Sequence, residues 1–111
     1  MTYPIFESKI NIDDDTVVKT LKEIDLNSLV FFIGFMQYKT LYNTSLALDC
    51  SPALVSLMLK KFKNYFDVPL FSREGRQLTP TDFAIHLENE IYGSLKNILY
   101  IMGQYDLDVK V

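Results

Sequence analysis

Five basic side chains lie close together in one part of the chain, and their chemistry suits phosphate binding. They are Lys60, Lys61, Lys63, Arg73 and Arg76. The only acidic residues between positions 51 and 81 are Asp67 and Glu74, so this segment is basic, whereas the whole chain of 111 residues has a net charge of −3. Lysine and arginine bind DNA through its phosphates, although lysines on a helix are equally typical of a solvated face. The segment is therefore a candidate DNA contact in an otherwise neutral to acidic chain.

Few residues in the sequence could take part in catalysis. The chain contains one histidine, His86, and one cysteine, Cys50, which excludes an intramolecular disulfide and a multi-cysteine metal site. The sequence contains no Gly-rich phosphate loop, no two-histidine metal spacing and no recognisable Ser-His-Asp set. We expect a surface or packing role for His86 and a buried structural role for Cys50. The sequence predicts a protein that is not an enzyme and needs no metal or cofactor.

The hydropathy pattern predicts a soluble, cytoplasmic protein without a membrane partner. The longest apolar run covers residues 29–36 (LVFFIGFM), far short of the ~20 residues that span a bilayer. The N-terminus lacks the basic start and apolar run of a signal peptide.

Capping signals predict three consecutive helices around the lysines. Only Asp49 and Cys50 separate the second helix from the third, which is typical of a helix-turn-helix. Pro52 stands at the first helical position of the third helix, where its missing N–H does no harm. The expected N-caps and helices are Asp25 for 26–38, Thr40 for 41–48 and Ser51 for 51–66.

Apolar residues at helical spacing predict which faces are buried. Three phenylalanines widen the stripe of the first helix, so we expect neighbours on two of its sides. The predicted core positions are Leu26, Leu29, Phe31, Phe32, Ile33, Phe35 and Met36 in the first helix, Leu41, Ser45 and Leu48 in the second, and Val55, Leu59, Phe62 and Phe66 in the third.

A hairpin and a long helix are predicted to follow. The dipeptide Glu74-Gly75 is a turn signal between strands at 70–73 and 76–78. Thr79 and Thr81 then begin a helix over about 81–103, whose apolar stripe is too long for a small domain to cover and predicts a homodimer. The stripe is Phe83, Leu87, Ile91, Leu95, Ile98 and Met102. The predicted organisation is an acidic arm at 1–24 with some helical tendency, a winged helix-turn-helix at 25–80, a linker and dimerisation helix at 81–105, and a tail at 106–111.

From Asp25 to about Leu99 the chain resembles the N-terminal DNA-binding region of LysR-type transcriptional regulators. The resemblance lies in DLNSLVFF, SPALVS and VPLFSREGRQLTPT. It implies a mainly α winged helix-turn-helix, with helix 51–66 in the major groove, wing 70–79 on the DNA backbone and an antiparallel dimer through the long helix. It also implies a larger effector-binding domain, for which this sequence has no counterpart. The candidate DNA-contacting residues are Thr40, Ser51, Pro52, Ala53, Ser56, Leu57, Lys60, Lys61, Arg73 and Arg76.

The chain departs from the family pattern in the reading helix. Leu57 stands where a polar or basic residue is usual, Met58 where glutamine or a basic residue is frequent, and Pro52 where glutamine is common. In the second helix, Thr44 and Ser45 replace a usual pair of alanines. Each bidentate base contact contributes ~1–3 kcal/mol of discrimination, so we expect weak or relaxed sequence specificity.

Two functions are therefore compatible with the sequence. The first is a dimeric DNA-binding module of a transcriptional regulator, whose partner is double-stranded DNA. The second is a DNA-independent interaction protein that forms mixed dimers with another regulator, or binds a partner through Leu57 and Met58, because exposed apolar clusters often mark binding surfaces.

Overall fold

The computed structural model describes residues 14–103, and over this range the chain forms five helices and one two-stranded sheet. Residues 1–13 of the predicted arm, and the predicted tail at 106–111, lie outside the described residues. The mainly α winged helix-turn-helix with a long C-terminal helix is confirmed. The elements are α1 Asp14–Glu23, α2 Leu26–Tyr38, α3 Leu41–Leu48, α4 Pro52–Lys63, β1 Phe71–Glu74, β2 Gln77–Pro80 and α5 Asp82–Ile101.

The predicted N-caps set the starts of the helices. Each cap residue has an extended backbone, and its side chain accepts a hydrogen bond from a backbone N–H in the first turn. This bond satisfies one of the donors left free at a helix start. The acceptor residues are Asp25 for α2, Thr40 for α3, Ser51 for α4 and Thr81 for α5.

The end of α4 differs from the prediction. The helix ends at Lys63 and not at Phe66. The N–H groups of Tyr65 and Phe66 bond to the carbonyls of Phe62 and Lys63, three residues back, in a tighter turn. Pro69 follows soon after and cannot continue a helix. Phe66 still packs against the core from this turn.

α2 lies at the centre of the fold and packs against α3, α4 and α5. Its wide apolar stripe is covered on more than one side, as predicted: Phe32 stacks on Phe62 of α4, and Phe35 meets Phe71 of the sheet edge-on. The prediction was wrong for one position in the stripe. Leu26 is 51% exposed, because the first inward-facing position of α2 is taken by Ser28, which is buried and donates its hydroxyl to the Asp25 carbonyl oxygen at 2.6 Å.

The close contact between α2 and α3 depends on small residues. A Cβ atom at Gly34 would come within 3.4 Å of Leu48 Cδ1, so the glycine lets the two helices approach. Thr44 Cγ2 would lie 3.5 Å from the same Cβ atom, and both Thr44 and Ser45 are buried. Their hydroxyls donate to the carbonyl oxygens of Thr40 and Tyr42 at 2.7 and 2.6 Å. The departure from a pair of alanines therefore leaves no buried hydroxyl without a partner.

The predicted wing is an antiparallel hairpin in which Arg73 pairs with Leu78 and Glu74 with Gln77. The turn residues are consequently Gly75 and Arg76, one residue later than the predicted Glu74-Gly75. Gly75 has φ +67°, as a two-residue turn with glycine at its first central position requires.

The base of the wing is closed by Thr81, the N-cap of α5. Its N–H donates to the Leu70 carbonyl oxygen at 3.0 Å, and its hydroxyl donates to the Pro69 carbonyl oxygen at 2.8 Å. The same hydroxyl oxygen accepts from the N–H of Ala84 at 3.2 Å. One side chain thus joins the segment entering the wing to the helix leaving it.

Candidate nucleic-acid interface

α4 is held by one face and presents the opposite face to solvent. Val55, Leu59 and Phe62 are buried against the core, and the Phe32 and Phe62 rings stack with centroids 4.8 Å apart. Because successive residues are about 100° apart around a helix, the free face carries the residues lying between these positions. Leu57 lies on it and is 59% exposed, as its spacing from Val55 predicts, while Met58 is half-buried.

Most of the predicted DNA-contacting residues of the helix-turn-helix lie on one exposed surface. The exposed members on α4 and at its N-cap are Ser51, Pro52, Ala53, Ser56, Leu57 and Lys60. Thr40 is also exposed, but its hydroxyl oxygen accepts the N–H of Asn43 at 2.9 Å and is engaged in capping α3. The exposed middle of α4 therefore combines one lysine with apolar and small side chains.

A groove of about 560 Å³ separates α4 from the wing. Its lining includes Lys60 and Lys63 from the helix and Arg73 from β1, and Asp67 is its acidic residue. Three cations on the two walls of one groove favour an anionic ligand. We call this the α4–wing groove. Lys63 was predicted to belong to the phosphate-binding basic segment but was left out of the candidate DNA-contacting residues, although it lies three residues after Lys60 and so on the same side of the helix.

A second groove of about 380 Å³ lies on the other side of Arg73, between the wing and the α2–α3 turn. Lys39, Arg73 and Arg76 line it together with Glu74. Lys39 was also missed by sequence reasoning. It is the C-cap of α2 with φ +80°. The charge of Lys39 in the sequence does not indicate that it lies beside the wing. Arg73 lines both grooves and thereby joins the two basic surfaces.

Lys61 lies apart from these grooves although it is adjacent to Lys60 in sequence. Its Nζ is 2.9 Å from Oδ2 of Asp25, the N-cap of α2. This hydrogen bond and the charge of Lys61 hold the pKa of the Asp25 carboxyl below its usual value. Reciprocally, the hydrogen bond to Asp25 and its charge raise the pKa of Lys61. The prediction grouped Lys61 with Lys60 as a phosphate contact; the fold gives it a partner within the protein.

The predicted dimerisation stripe divides into two parts. Phe83 and Leu87 are 2% and 3% exposed and belong to the domain's own core, so they are not available to a partner chain in this structure. Ile91 and Leu95 are half-buried against that core. Ile98 and Met102 are 49% and 65% exposed. Only the second half of the stripe offers apolar surface.

The described residues provide little for other chemistry. Between residues 14 and 103, no three histidine, cysteine, aspartate or glutamate side chains are grouped as metal ligands would be. Over the same range, no helix is long and apolar enough to cross a membrane. Cys50 is a half-buried free thiol in the α3–α4 turn, and His86 is half-buried on α5.

Comparison with known proteins connects this geometry with one group of bacterial proteins. The family model for bacterial regulatory helix-turn-helix proteins of the lysR family matches residues 26–84. The chain is 35% identical over 106 residues to the uncharacterized HTH-type transcriptional regulator YbeF of Escherichia coli, covering 93% of this chain and 33% of that protein. A second relative, the uncharacterized regulator YbdO of Escherichia coli, is 31% identical over 78 residues, or 70% of this chain and 26% of the relative.

A solved structure has the same arrangement of elements. The crystal structure of a probable transcriptional regulator from Pseudomonas aeruginosa superposes with a TM-score of 0.65 at 25% identity, covering 80% of this chain and 30% of that one. The chain thus spans between a quarter and a third of the length of these three proteins.

Proposed function

The chain belongs to the LysR family of bacterial regulatory helix-turn-helix proteins, and from that premise we propose that it is a dimeric DNA-binding module in which α4 enters the major groove of double-stranded DNA. The observation that carries the proposal is the α4–wing groove, where Lys60 and Lys63 face Arg73. Cations on both walls would hold the phosphates of one strand while the exposed face of α4 meets the base edges.

The wing is proposed to contact the DNA backbone rather than the bases. Arg73 and Arg76 lie with Lys39 along the second basic groove. Arginine binds phosphate through a planar pair of donors, and the spread of cations from Lys39 to Lys63 would extend the backbone contact on both sides of α4. Phosphate contacts supply affinity and orientation but carry no sequence information.

We infer weak or relaxed sequence specificity from the exposed face of α4. Leu57, which is exposed at the middle of the helix, cannot donate or accept a hydrogen bond at a base edge. It can contact the methyl group of thymine. Ser51, Ala53 and Ser56 are short and exposed, so they would lie near the bases without the bidentate contacts that discriminate between base pairs.

Dimerisation is proposed to use the distal half of α5. Ile98 and Met102 are exposed there, and Ile91 and Leu95 are half-buried beside them. Pairing with the same stripe of a second copy would remove this apolar surface from water, and it would carry two α4 helices on one particle, as two-fold related DNA half-sites require.

The salt dependence of DNA affinity tests the proposed function. In titrations of a mixed-sequence duplex, log K should fall linearly with log salt. Lys60→Met and Arg73→Ala should each flatten the slope by about 1 and weaken binding to all sequences about equally. Lys96→Met is a matched control, because Lys96 lies on α5 and lines neither basic groove. Its Nζ lies 5.1 Å from the centroid of the Tyr92 ring, and its replacement should leave the slope unchanged. Binding that does not respond to salt, or that Lys60→Met and Lys96→Met affect alike, would contradict the proposal.

The second candidate is a DNA-independent partner of another regulator. It draws support from the exposed apolar residues at the end of α5, which would pair with a related linker helix as well as with a second copy. It predicts no salt-dependent duplex binding by the purified chain, together with mixed dimers when the chain is mixed with a full-length relative. Binding of the homodimer to duplex DNA favours the first candidate.

A further inference from the structure

Three residues connect the start of α2 to the end of α4. Lys61 Nζ donates to Oδ2 of Asp25 at 2.9 Å, and the N–H of Asp25 donates to the Tyr65 hydroxyl oxygen at 2.8 Å. The other carboxylate oxygen of Asp25 accepts the N–H of Asn27 at 3.0 Å and caps α2. We call Asp25, Lys61 and Tyr65 the Asp25 clasp. It spans 36 to 40 residues of sequence and joins two helices that meet otherwise through apolar side chains.

Lys60 and Lys61 point in different directions. Adjacent residues on a helix are about 100° apart; Lys60 lines the α4–wing groove, whereas Lys61 reaches back to α2. The charge of Lys61 is also opposed by a carboxylate at hydrogen-bonding distance, so that a phosphate would have to compete with Asp25 for it. The two lysines therefore have different surroundings despite their adjacency.

The apolar contacts of α4 do not by themselves specify a bonding distance or angle. Burial of apolar surface is non-directional, and the Phe32 and Phe62 rings stack with centroids 4.8 Å apart. Hydrogen bonds, in contrast, fix a distance and an angle. The Asp25 clasp supplies two of them, one from Lys61 in the last turn of α4 and one from Tyr65 in the turn that follows the helix.

We propose that the Asp25 clasp sets the rotation of α4 on the domain, so that Lys61 and Tyr65 are positioning residues for DNA binding and not phosphate contacts. The inference rests on the proposed function, because α4 must meet DNA for its orientation to matter. A rotation of α4 would move Ala53, Leu57 and Lys60 together with respect to the wing, so an intact clasp would keep the helix and the wing in register with one duplex.

The test compares variants by duplex titration over a range of salt concentrations. Lys61→Met and Tyr65→Phe should each weaken binding about two- to five-fold, the range expected for losing an exposed ion pair or hydrogen bond, at every salt concentration and with the slope unchanged. Tyr65→Phe is decisive because it alters the clasp without altering any charge. Lys60→Met is the matched control, and it should flatten the slope by about 1.

Asp25→Asn gives predictions of opposite sign for the two roles of Lys61. Asparagine retains the cap of α2, because Asn and Asp are comparable N-caps, but it removes the charge that holds Lys61. If Lys61 is a positioning residue, Asp25→Asn should weaken DNA binding, and the double variant Asp25→Asn/Lys61→Met should bind no more weakly than Lys61→Met alone. If Lys61 is a phosphate contact, the released lysine should tighten binding and steepen the salt slope.

Four results overturn the inference. A slope flattened equally by Lys61→Met and Lys60→Met, or tighter binding by Asp25→Asn, makes Lys61 a phosphate contact and leaves the proposed function intact. Additive effects of Asp25→Asn and Lys61→Met on thermal unfolding show that the clasp does not act as a unit. A wild-type chain that binds no duplex at any salt concentration overturns the proposed function and this inference together.

Discussion

The two halves of α5 carry similar apolar side chains in opposite surroundings. Phe83 and Leu87, near the start of the helix, lie in the core, whereas Ile98 and Met102, near its end, are about half or more exposed. The helical spacing is continuous through both halves, so sequence periodicity alone does not distinguish them. The first half is explained by the fold of one chain. The exposed apolar residues of the second half are the surface that we propose to pair with a second copy.

The same contrast occurs over two residues in α4. Val55 is fully buried, and Leu57 is largely exposed. Folding requires an apolar residue at the first position but not at the second. A polar side chain at Leu57 would therefore cost the domain little, so substitutions there report on binding rather than on folding.

If the two halves of α5 differ in burial, truncating a core residue of the first half should cause the largest loss of stability. Phe83→Ala should lower the free energy of unfolding by about 3–5 kcal/mol, because it empties a fully packed ring site against Phe66. Tyr100→Ala, at an exposed position in the distal half, should change it by less than about 0.5 kcal/mol. Chemical denaturation measures both. Equal losses in the two variants would mean that the halves of α5 do not differ as described.

Introducing charge into the distal half of α5 tests whether this half pairs with a second copy of the chain. Ile98→Glu combined with Met102→Glu should convert a dimer to a monomer in light scattering without unfolding it, because both side chains are exposed in one chain and would be buried only in the dimer. Tyr100→Glu is the control, since Tyr100 lies two residues from Ile98, about 200° around the helix. A dimer that survives the double change, or a monomeric wild type, would contradict pairing through this stripe.

The contrast in α4 predicts a gain rather than a loss. Leu57→Arg should leave stability within about 0.5 kcal/mol and tighten DNA binding by ~1–3 kcal/mol on a suitable sequence, because it adds a charge and a bidentate donor. Val55→Arg at the buried neighbour should unfold the domain. The measurements are thermal unfolding and duplex titration at fixed salt. If Leu57→Arg proved as damaging as Val55→Arg, the exposed face of α4 would be misassigned.

The smallest expected effect concerns pH. Because the folded-state pKa of Asp25 is lowered by Lys61, the stability that the pair contributes is fully present above the ordinary aspartate pKa and is lost as pH falls through the lowered value. The raised pKa of Lys61 keeps that contribution present up to the ordinary lysine pKa, and it is lost as pH rises through the raised value. Wild type and Lys61→Met should therefore differ in Tm at neutral pH and converge in strong acid. A difference that persists unchanged in acid would assign it to some other contact.

The starts of the helices could be predicted from the sequence because their cause is local. Asp25, Thr40, Ser51 and Thr81 each act within three residues of their own position, so the residue type and the next turn contain the information. The hairpin turn was misplaced by one residue for a related reason. The sequence identifies Gly75 as the residue with positive φ, but the pairing of Glu74 with Gln77 depends on how the strands meet.

Other features depend on the tertiary structure and were not predictable. The apolar spacing of α2 includes Leu26, but periodicity does not show that the first turn extends past the core. Likewise, the charge pattern groups Lys61 with Lys60, while its partner Asp25 is 36 residues away. The approach of Lys39 to the wing arginines has no signal in the sequence beyond its charge.

The hydrogen bonds of Thr81 have a mechanical consequence. Because this residue ties the Leu70 carbonyl to the first turn of α5, these hydrogen bonds couple the orientation of the wing to that of the helix. In a dimer held through α5, a change in the crossing angle of the two helices would turn both wings by the same amount. The distance between successive operator half-sites would then be set by the geometry of the helix crossing, far from any base that the protein touches.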